Sequence, residues 1–503
     1  MTLIGYIPKK NLWKKIKGIH NYGYTTDNIN ANNLERRTED FKANFQEKII
    51  NRIDFLYNSC KYVVIEENYI EREWKAMIAK HYINSAYSGT LKQSVIRVHF
   101  LTKKKFASEN YLGFITLRPL DELEISLSFV YLNWNHSMFC GETTYVMTYK
   151  KVVHCMGESV IIDTYPFFAQ DTIVTCCADA NIIMLKKYFS NKYRLSYSLQ
   201  NDLLSNKSIK NHNLPKKVDI SLFKAMLSET DIPFRIRNYC LIEDDSEESI
   251  SKKLKQIEDE ILAYIESGLP VILGGKGHII QIIGYVKSND DDNTKFIVYD
   301  DSGYLEKEIF GKKNNNRHIT YYIHIKDFFD CISPVPFFDF DSSKPKKMKR
   351  FFVALLEHER VYIGFEKYTW LIKEYLGQQA KRDIEKKYLN KIVKNSDKET
   401  VLYPDVKIRS ILVDNSDAKT FLRSNTDNER AASKNDINKF LKKGLPHYLW
   451  YTEISFDDNK MICLFGNPTM YHDTKDFEKL FLNNRMNFVF ESNKRLILLT
   501  EGK

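Results

Sequence analysis

Residues 164–189, TYPFFAQDTIVTCCADANIIMLKKYF, place a glutamine a few positions before a cysteine pair, and the pair opens an apolar run with helical spacing. A thiol nucleophile gains from that address. With Thr175 as N-cap, Cys176 and Cys177 fall in the first helical turn, where free N–H groups and the positive end of the helix dipole favour a thiolate. Ala178 and Ala180 leave room around the sulfur. Gln170 lies seven residues before Cys177, near enough for its side-chain amide to donate to a developing oxyanion together with the cysteine N–H.

The partner such a thiol needs stands in residues 268–286, GLPVILGGKGHIIQIIGYV, where His278 opens an apolar strand after a glycine-rich turn. Residues 296–303, FIVYDDSG, then end a further strand in acid, with Asp300 22 residues beyond His278. Two antiparallel strands joined through the polar residues 288–293 would set Asp300 against the imidazole, fixing its tautomer and supporting its charge. Cys176 and Asp301 stand open as alternates to their neighbours. Each residue alone has a blander reading: a buried cysteine is usually a small hydrophobe, a strand histidine a satisfied core residue, an acid after a strand a turn former. The joint order of the types carries the chemistry.

This layout of Gln, then Cys-Ala, then Gly-His on a strand, then Tyr-Asp-Asp-Ser-Gly resembles the papain-like cysteine peptidases, in particular the branch that processes bacteriocin leaders at double-glycine sites. The resemblance covers about residues 165–303. It implies a cysteine-bearing helix packed on an antiparallel sheet, Cys177 as nucleophile, His278 as general base, Asp300 as third member and Gln170 beside the oxyanion, with no cofactor. Cys177 is preferred because Ala178 and Ala180 then occupy the small positions that follow the family's nucleophile. Two departures stand out: a Cys-Cys pair where the family has one cysteine, and Asp300–Asp301 where the family has Asp-Pro. The activity implied is hydrolysis of peptide or isopeptide bonds. Transglutaminase-type acyl transfer, or a silent binding or scaffold protein, are the alternatives on the same fold.

Other motifs lead nowhere. Residues 274–277, Gly-Gly-Lys-Gly, lack the first glycine and the hydroxyl residue of a phosphate loop, and His358-Glu359 lacks the second histidine of a zinc-protease helix. His154, Cys155 and Glu158 have no fourth ligand at a sensible spacing. The aromatic residues 337–340 read as packing.

Positioning the site is the task of a long α+β chain. Its 503 residues exceed what one hydrophobic core supports, and 43% hydrophobic against 28% charged residues is a globular balance. Three parts are expected: an N-terminal α+β region over 1–150, the peptidase-like core over 151–338 and a C-terminal α+β region over 339–503, with residues 339–350 as linker. In the first part a helix is predicted over 39–57 and strands over 62–65, 95–101, 111–117 and 125–132. In the second, β-branched runs lead up to Pro166, which is expected to break the pattern, and an amphipathic helix spans 246–267. In the third, helical patterns over 351–358 and 368–376 precede strands near 448–455, 461–465 and 495–500, with a polar insert over 414–436.

The formal charge of +10 is spread over separated lysine runs, which fits solvated surface rather than a nucleic-acid groove. No segment has the roughly 20 apolar residues of a membrane span, and residues 1–20 have no apolar signal core, so a cytoplasmic protein is expected. The eight cysteines are scattered without CxxC pairs, fitting free thiols rather than disulfides or structural zinc. The expected partner is a protein or peptide substrate, with the flanking regions available to a regulatory partner.

Overall fold

The computed structural model describes residues 2–20, 39–81, 93–120, 123–131, 142–171, 175–195, 220–242, 245–275, 277–288, 294–310, 318–337, 346–381, 393–396, 399–402, 407–424, 434–442, 444–455, 460–469 and 488–491. The fold is of the α+β class expected, and every strand pair whose register is defined runs antiparallel. Contacts divide the chain into two compact units, one of Met1–Ile250 and Pro270–Ala354, the other of Ser251–Leu269 and Leu355–Lys503. This is a coarser division than the three-part reading.

The first unit holds two large sheets. One contains β1 (Thr2–Pro8), β2 (Tyr62–Tyr69), β3 (Val95–Leu101), β4 (Tyr111–Arg118), β5 (Glu124–Ile125), β6 (Ser128–Tyr131), β8 (Tyr149–Cys155) and β9 (Glu158–Phe167). Their order is β1-β2-β3-β4-β6-β9-β8, with β5 on β4. Arg97 on β3 donates to the carbonyl of His154 on β8, four places along the sheet, at 2.9 Å. The run expected as one strand over 125–132 is two, since Ser126 turns the chain: its N–H donates to the Thr116 carbonyl and its hydroxyl to Glu71. Pro166 does not break β9. It stands opposite Phe129 in the pairing with β6, where a proline is tolerated if no ladder donor is required.

The second sheet contains β7 (Glu142–Val146), β10 (Phe234–Ile242), β11 (Val271–Gly275), β12 (His278–Ser288), β13 (Thr294–Tyr299), β14 (Thr320–Ile323), β15 (Val335–Phe337) and β16 (Lys346–Leu356). Its order is β10-β16-β11-β12-β13-β14, with β7 on β12 and β15 on β16. Two expectations change here. Part of the expected linker and the expected helix over 351–358 are one strand, β16. Met348, Phe351, Val353 and Leu355 are buried along it, and a continuous apolar run of this length cannot be told from a helix by periodicity alone. The glycine-rich turn is a hairpin in which Gly275 faces His278. Gly277 sits at φ +75°, and a Cβ on Gly274 would lie 2.2 Å from the Phe352 ring, so these glycines serve the turn and the packing, not a phosphate.

A helix, Cys177–Lys192, lies against β12 of one sheet and β8 and β9 of the other. Ala178 to Lys186 are buried without interruption, which explains its weak amphipathic pattern: a helix covered on several sides has no polar face.

The second unit is built on a four-stranded sheet of β19 (Lys407–Asp414), β20 (Tyr448–Ser455), β21 (Lys460–Gly466) and β22 (Phe488–Glu491), with a separate pair, β17 (Val393–Ser396) and β18 (Glu399–Leu402). Helices Asn415–Ser424 and Lys434–Leu441 supply Phe421 and Phe440 to its core, and Tyr368, from the helix Phe365–Lys381, stacks on Trp450. The insert expected to be polar over 414–436 therefore contains helix. The strand expected near 495–500 lies outside the described residues, as do the polar residues 201–217 and Cys140.

Candidate active site

Cys177 is the first residue of its helix and Cys176 the N-cap, one position later than Thr175 was expected to cap. The reason is Asp179. Its Oδ2 accepts from the Cys176 N–H at 3.0 Å and from the Cys176 thiol at 3.1 Å, closing a capping box. Burial and then the Asp179 charge push the Cys176 thiol well above the ordinary range. The two cysteines thus have different employment: Cys176 caps the helix, and Cys177 opens it with its side chain beside His278.

One turn on, Asn181 ties the helix to the histidine strand. Its Nδ2 donates to the Cys177 carbonyl at 2.7 Å and to the Ile279 carbonyl at 3.1 Å. Gln281 answers from β12, donating to the Asn181 carbonyl at 2.7 Å and accepting from Tyr165 at 2.9 Å. Both residues are fully buried, so these bonds form without competition from water. They fix the helix start beside His278.

His278 Nε2 donates to Asp300 Oδ1 at 2.8 Å, so Nδ1 is the ring nitrogen that the acid does not engage. Asp300 is fully buried and heavily used. Oδ1 also accepts from the Ser302 and Gly303 N–H groups, and Oδ2 from the Leu305 N–H at 3.0 Å and the Tyr321 hydroxyl at 2.9 Å. The acid therefore orients the imidazole and caps the helix Tyr304–Phe310 at once. Burial opposes the imidazolium, yet the Asp300 charge, the hydrogen bond Asp300 accepts from the ring and the neighbouring Cys177 side chain outweigh it and hold His278 well above the histidine range. Burial opposes the Asp300 carboxylate too, and the His278 charge and these donors hold it well below the usual range.

Asp301 behaves otherwise. It is fully buried, its Oδ1 lies 3.7 Å from His278 Nε2, and among the described residues neither carboxyl oxygen has a hydrogen-bond partner. Burial, with the Asp300 charge, pushes it up to about 7. Of the two acids, Asp300 is the one built into a hydrogen-bonded site.

Gln170 is half-buried in the segment between β9 and the cysteine helix. Asp171 and Thr175 close that segment reciprocally: the Asp171 N–H donates to the Thr175 hydroxyl at 3.0 Å, and the Thr175 N–H to Asp171 Oδ1 at 2.9 Å. Residues 172–174 are outside the described set. Tyr304, 42% exposed, sets its ring edgewise against the imidazole, so one wall of the site is an accessible aromatic.

Sequence reasoning missed Asn181, Gln281, Asp171 and Tyr321. A signal existed for the first two: Asn181 falls one turn after Cys177, and Gln281 is a polar residue inside the apolar run of β12. Among the described residues, two groups of metal-ligating side chains have their ligand atoms within 4.8 Å, His278/Asp300/Asp301 and Glu66/His99/Cys155. In the first, His278 and Asp300 already satisfy each other, and in the second Glu66 is occupied by His99 and the Arg97 guanidinium. His154 and Glu158 join neither group. No helix among the described residues is long and apolar enough to cross a membrane.

No family model matches the chain, and no curated protein does. Among solved structures, a matching chain is UfSP from C. elegans, at 14% identity and a TM-score of 0.24 over 39% of this chain and 33% of that one. This chain thus corresponds to about a third of that structure's length.

Proposed function

We propose that the chain is a papain-like cysteine hydrolase acting on peptide or isopeptide bonds, with Cys177, His278 and Asp300 as triad and Gln170 as oxyanion donor. The observation that carries the reading is the position of His278, between the Cys177 thiol on one side and a buried, fully bonded Asp300 on the other. A thiol, a base and an orienter in that order are what nucleophilic acyl chemistry requires.

The Cys177 sulfur, its proton already on His278, attacks the carbonyl carbon of the scissile amide. The carbonyl oxygen becomes an oxyanion, for which the Cys177 N–H, in a first turn without intrahelical acceptors, and the Gln170 amide are the donors. The tetrahedral adduct collapses as His278 returns the proton to the departing amine, leaving a thioester. Water then attacks the thioester carbonyl, giving its proton to His278, and the second adduct expels the Cys177 thiolate and releases the acid. Asp300 keeps Nε2 engaged throughout, so the thiol meets Nδ1.

The substrate fitting this chemistry is a protein or peptide. The test is turnover of a peptide library with product analysis by mass spectrometry, wild type beside Cys177→Ala. Free acid and amine that depend on Cys177 are expected. Products joined to an added amine would make the chain an acyltransferase, and cleavage that persists in Cys177→Ala, or follows Cys176 instead, would remove the assignment.

A further inference from the structure

Two arginines from the N-terminal part of the first unit end on the two arms of this site. Arg118, the last residue of β4, is fully buried and spends its fork around Gln170: Nη1 donates to Asp171 Oδ2 at 3.0 Å and Nη2 to the Ala169 carbonyl at 2.6 Å. The residues on both sides of Gln170 are thereby held by one planar group. Arg52 donates through Nη2 to the Asp301 carbonyl, in the turn that carries Asp300, and through Nη1 to Glu124 Oε2 at 3.3 Å. Its own carbonyl accepts from the Ile319 N–H, and the Ile319 carbonyl accepts from the Asp300 N–H, each at 3.1 Å.

The two arginines share a support. Arg118 Nη2 also donates to the carbonyl of Ile125 at 3.4 Å, and the same carbonyl accepts from the Ala169 N–H at 3.1 Å. Glu124 and Ile125 are β5, so one two-residue strand touches the clamp on the glutamine arm and the clamp on the aspartate arm. Arg52 follows a wide helical turn, Gln46–Ile50, and lies in a tight one, Asn51–Ile53, an irregularity that frequently accompanies functional positions. Stability accounts poorly for these pairs, because a buried ion pair replaced by apolar residues is often neutral or better. Alignment accounts for them well, since a guanidinium fork fixes two acceptors in one plane.

We propose that Arg52 and Arg118, bracketed by β5, are positioning residues that align the two arms of the thiol site, Arg118 setting Gln170 toward the oxyanion and Arg52 setting the Asp300 turn behind His278. The proposal rests on the reading of the site as a Cys-His-Asp hydrolase. It makes the N-terminal region part of the catalytic apparatus rather than an appendage to it.

Two reactions of the full chain separate the arms. Alkylation of Cys177 by iodoacetamide, followed by peptide mapping, needs the Cys177–His278 pair and no oxyanion donor, whereas hydrolysis of p-nitrophenyl acetate needs both. Arg118→Met is expected to keep the alkylation rate within about twofold and to lower ester turnover by about tenfold or more, toward the roughly 10²–10³ that loss of an oxyanion donor costs. Arg52→Gln is expected to displace the pH profile of alkylation itself, with Arg52→Lys partly restoring it. Should Arg118→Met not fold by circular dichroism, Arg118→Lys, which keeps the charge and loses the fork, carries the same comparison. The brace is overturned if both reactions fall only in step with the folded fraction, or if neither variant differs from wild type. If wild type itself shows no Cys177-dependent alkylation or ester turnover, the hydrolase reading fails first and takes the brace with it.

Discussion

Among the described residues of the first unit, two groups bring together a cysteine, a histidine and a carboxylate, Cys177/His278/Asp300 and the buried Cys155/His99/Glu66, and they differ in who stands in the middle. In the first, the histidine separates thiol from acid. In the second the acid is central: Glu66 accepts from His99 at 2.9 Å, pairs with Arg97 and meets the Cys155 thiol. The consequences for charge are opposite. His278 is held well above its ordinary range. Burial with the neighbouring Arg97 charge brings His99 down to about 4, while burial and the Glu66 charge push Cys155 up to about 12. With its other nitrogen on the Tyr111 hydroxyl at 2.7 Å, His99 has no means of taking a proton from the thiol. The same residue types set a histidine between thiol and acid in one place and make a satisfied polar core in the other, and spatial order makes the difference.

Exchanging the cysteines breaks the comparison most directly. Cys177→Ala is expected to abolish both turnover and mapped alkylation at that helix, and Cys155→Ala to leave both at wild type. Alkylation of Cys155 in the folded protein at neutral pH would show that the second group is not the inert core described. His278→Ala is expected to cost about 10²–10⁴ in turnover, the usual contribution of a positioned general base, with circular dichroism unchanged.

The second group is expected to matter for stability instead. Glu66→Gln leaves the buried Arg97 without its counter-charge and is expected to cost about 3–5 kcal/mol in chemical denaturation, while activity per folded molecule stays at wild type. A loss of activity beyond the loss of folded protein would mean that the two groups communicate. Gln170→Ala tests the other arm: turnover is expected to drop by about 10²–10³ with the alkylation rate held.

How much of this was legible in the chain follows from what each residue leans on. Cys177, His278 and Asp300 are positioned by a helix start and a β-meander, features written in local pattern, so their neighbourhood was readable from order alone. Choosing Cys177 over Cys176 was not, because it depends on Asp179 engaging Cys176 as the N-cap. Choosing Asp300 over Asp301 depended on Tyr321 and on a helix begun at Tyr304. Arg52 and Arg118 were invisible, since they lie about 50 to 250 residues from what they hold and nothing local marks an arginine that will be buried. β16 was misread because its stretch from Phe351 to Leu356 is continuously apolar and has no alternation to set it apart from a helix.

Asp301 offers the finest test. Its carboxyl is pushed up to about 7 when folded, against about 3.9 in an unfolded chain. Between those values the unfolded state releases a proton that the folded state keeps, so this group lowers stability progressively as pH rises from about 4 to 7. The other members titrate elsewhere. Asp300, depressed, contributes stability above about 3.9 that is lost only on further acidification, and His278, raised, contributes stability below about 6.5 that is lost as pH climbs through its folded value. Glu66, held at about 2 against its burial by His99 and Arg97, likewise changes only in acid. His99 does act in the window, with the opposite sign: depressed to about 4, it makes the protein gain stability as pH rises toward 6.5. That gain is common to wild type and Asp301→Asn and cancels in their difference. The variant is therefore expected to gain melting temperature over wild type as pH goes from 4.5 to 6.5, by a few degrees, with little difference at the acid end. A difference that is constant across the window would mean that Asp301 is already ionised in the fold, and that His278 faces two carboxylates instead of one.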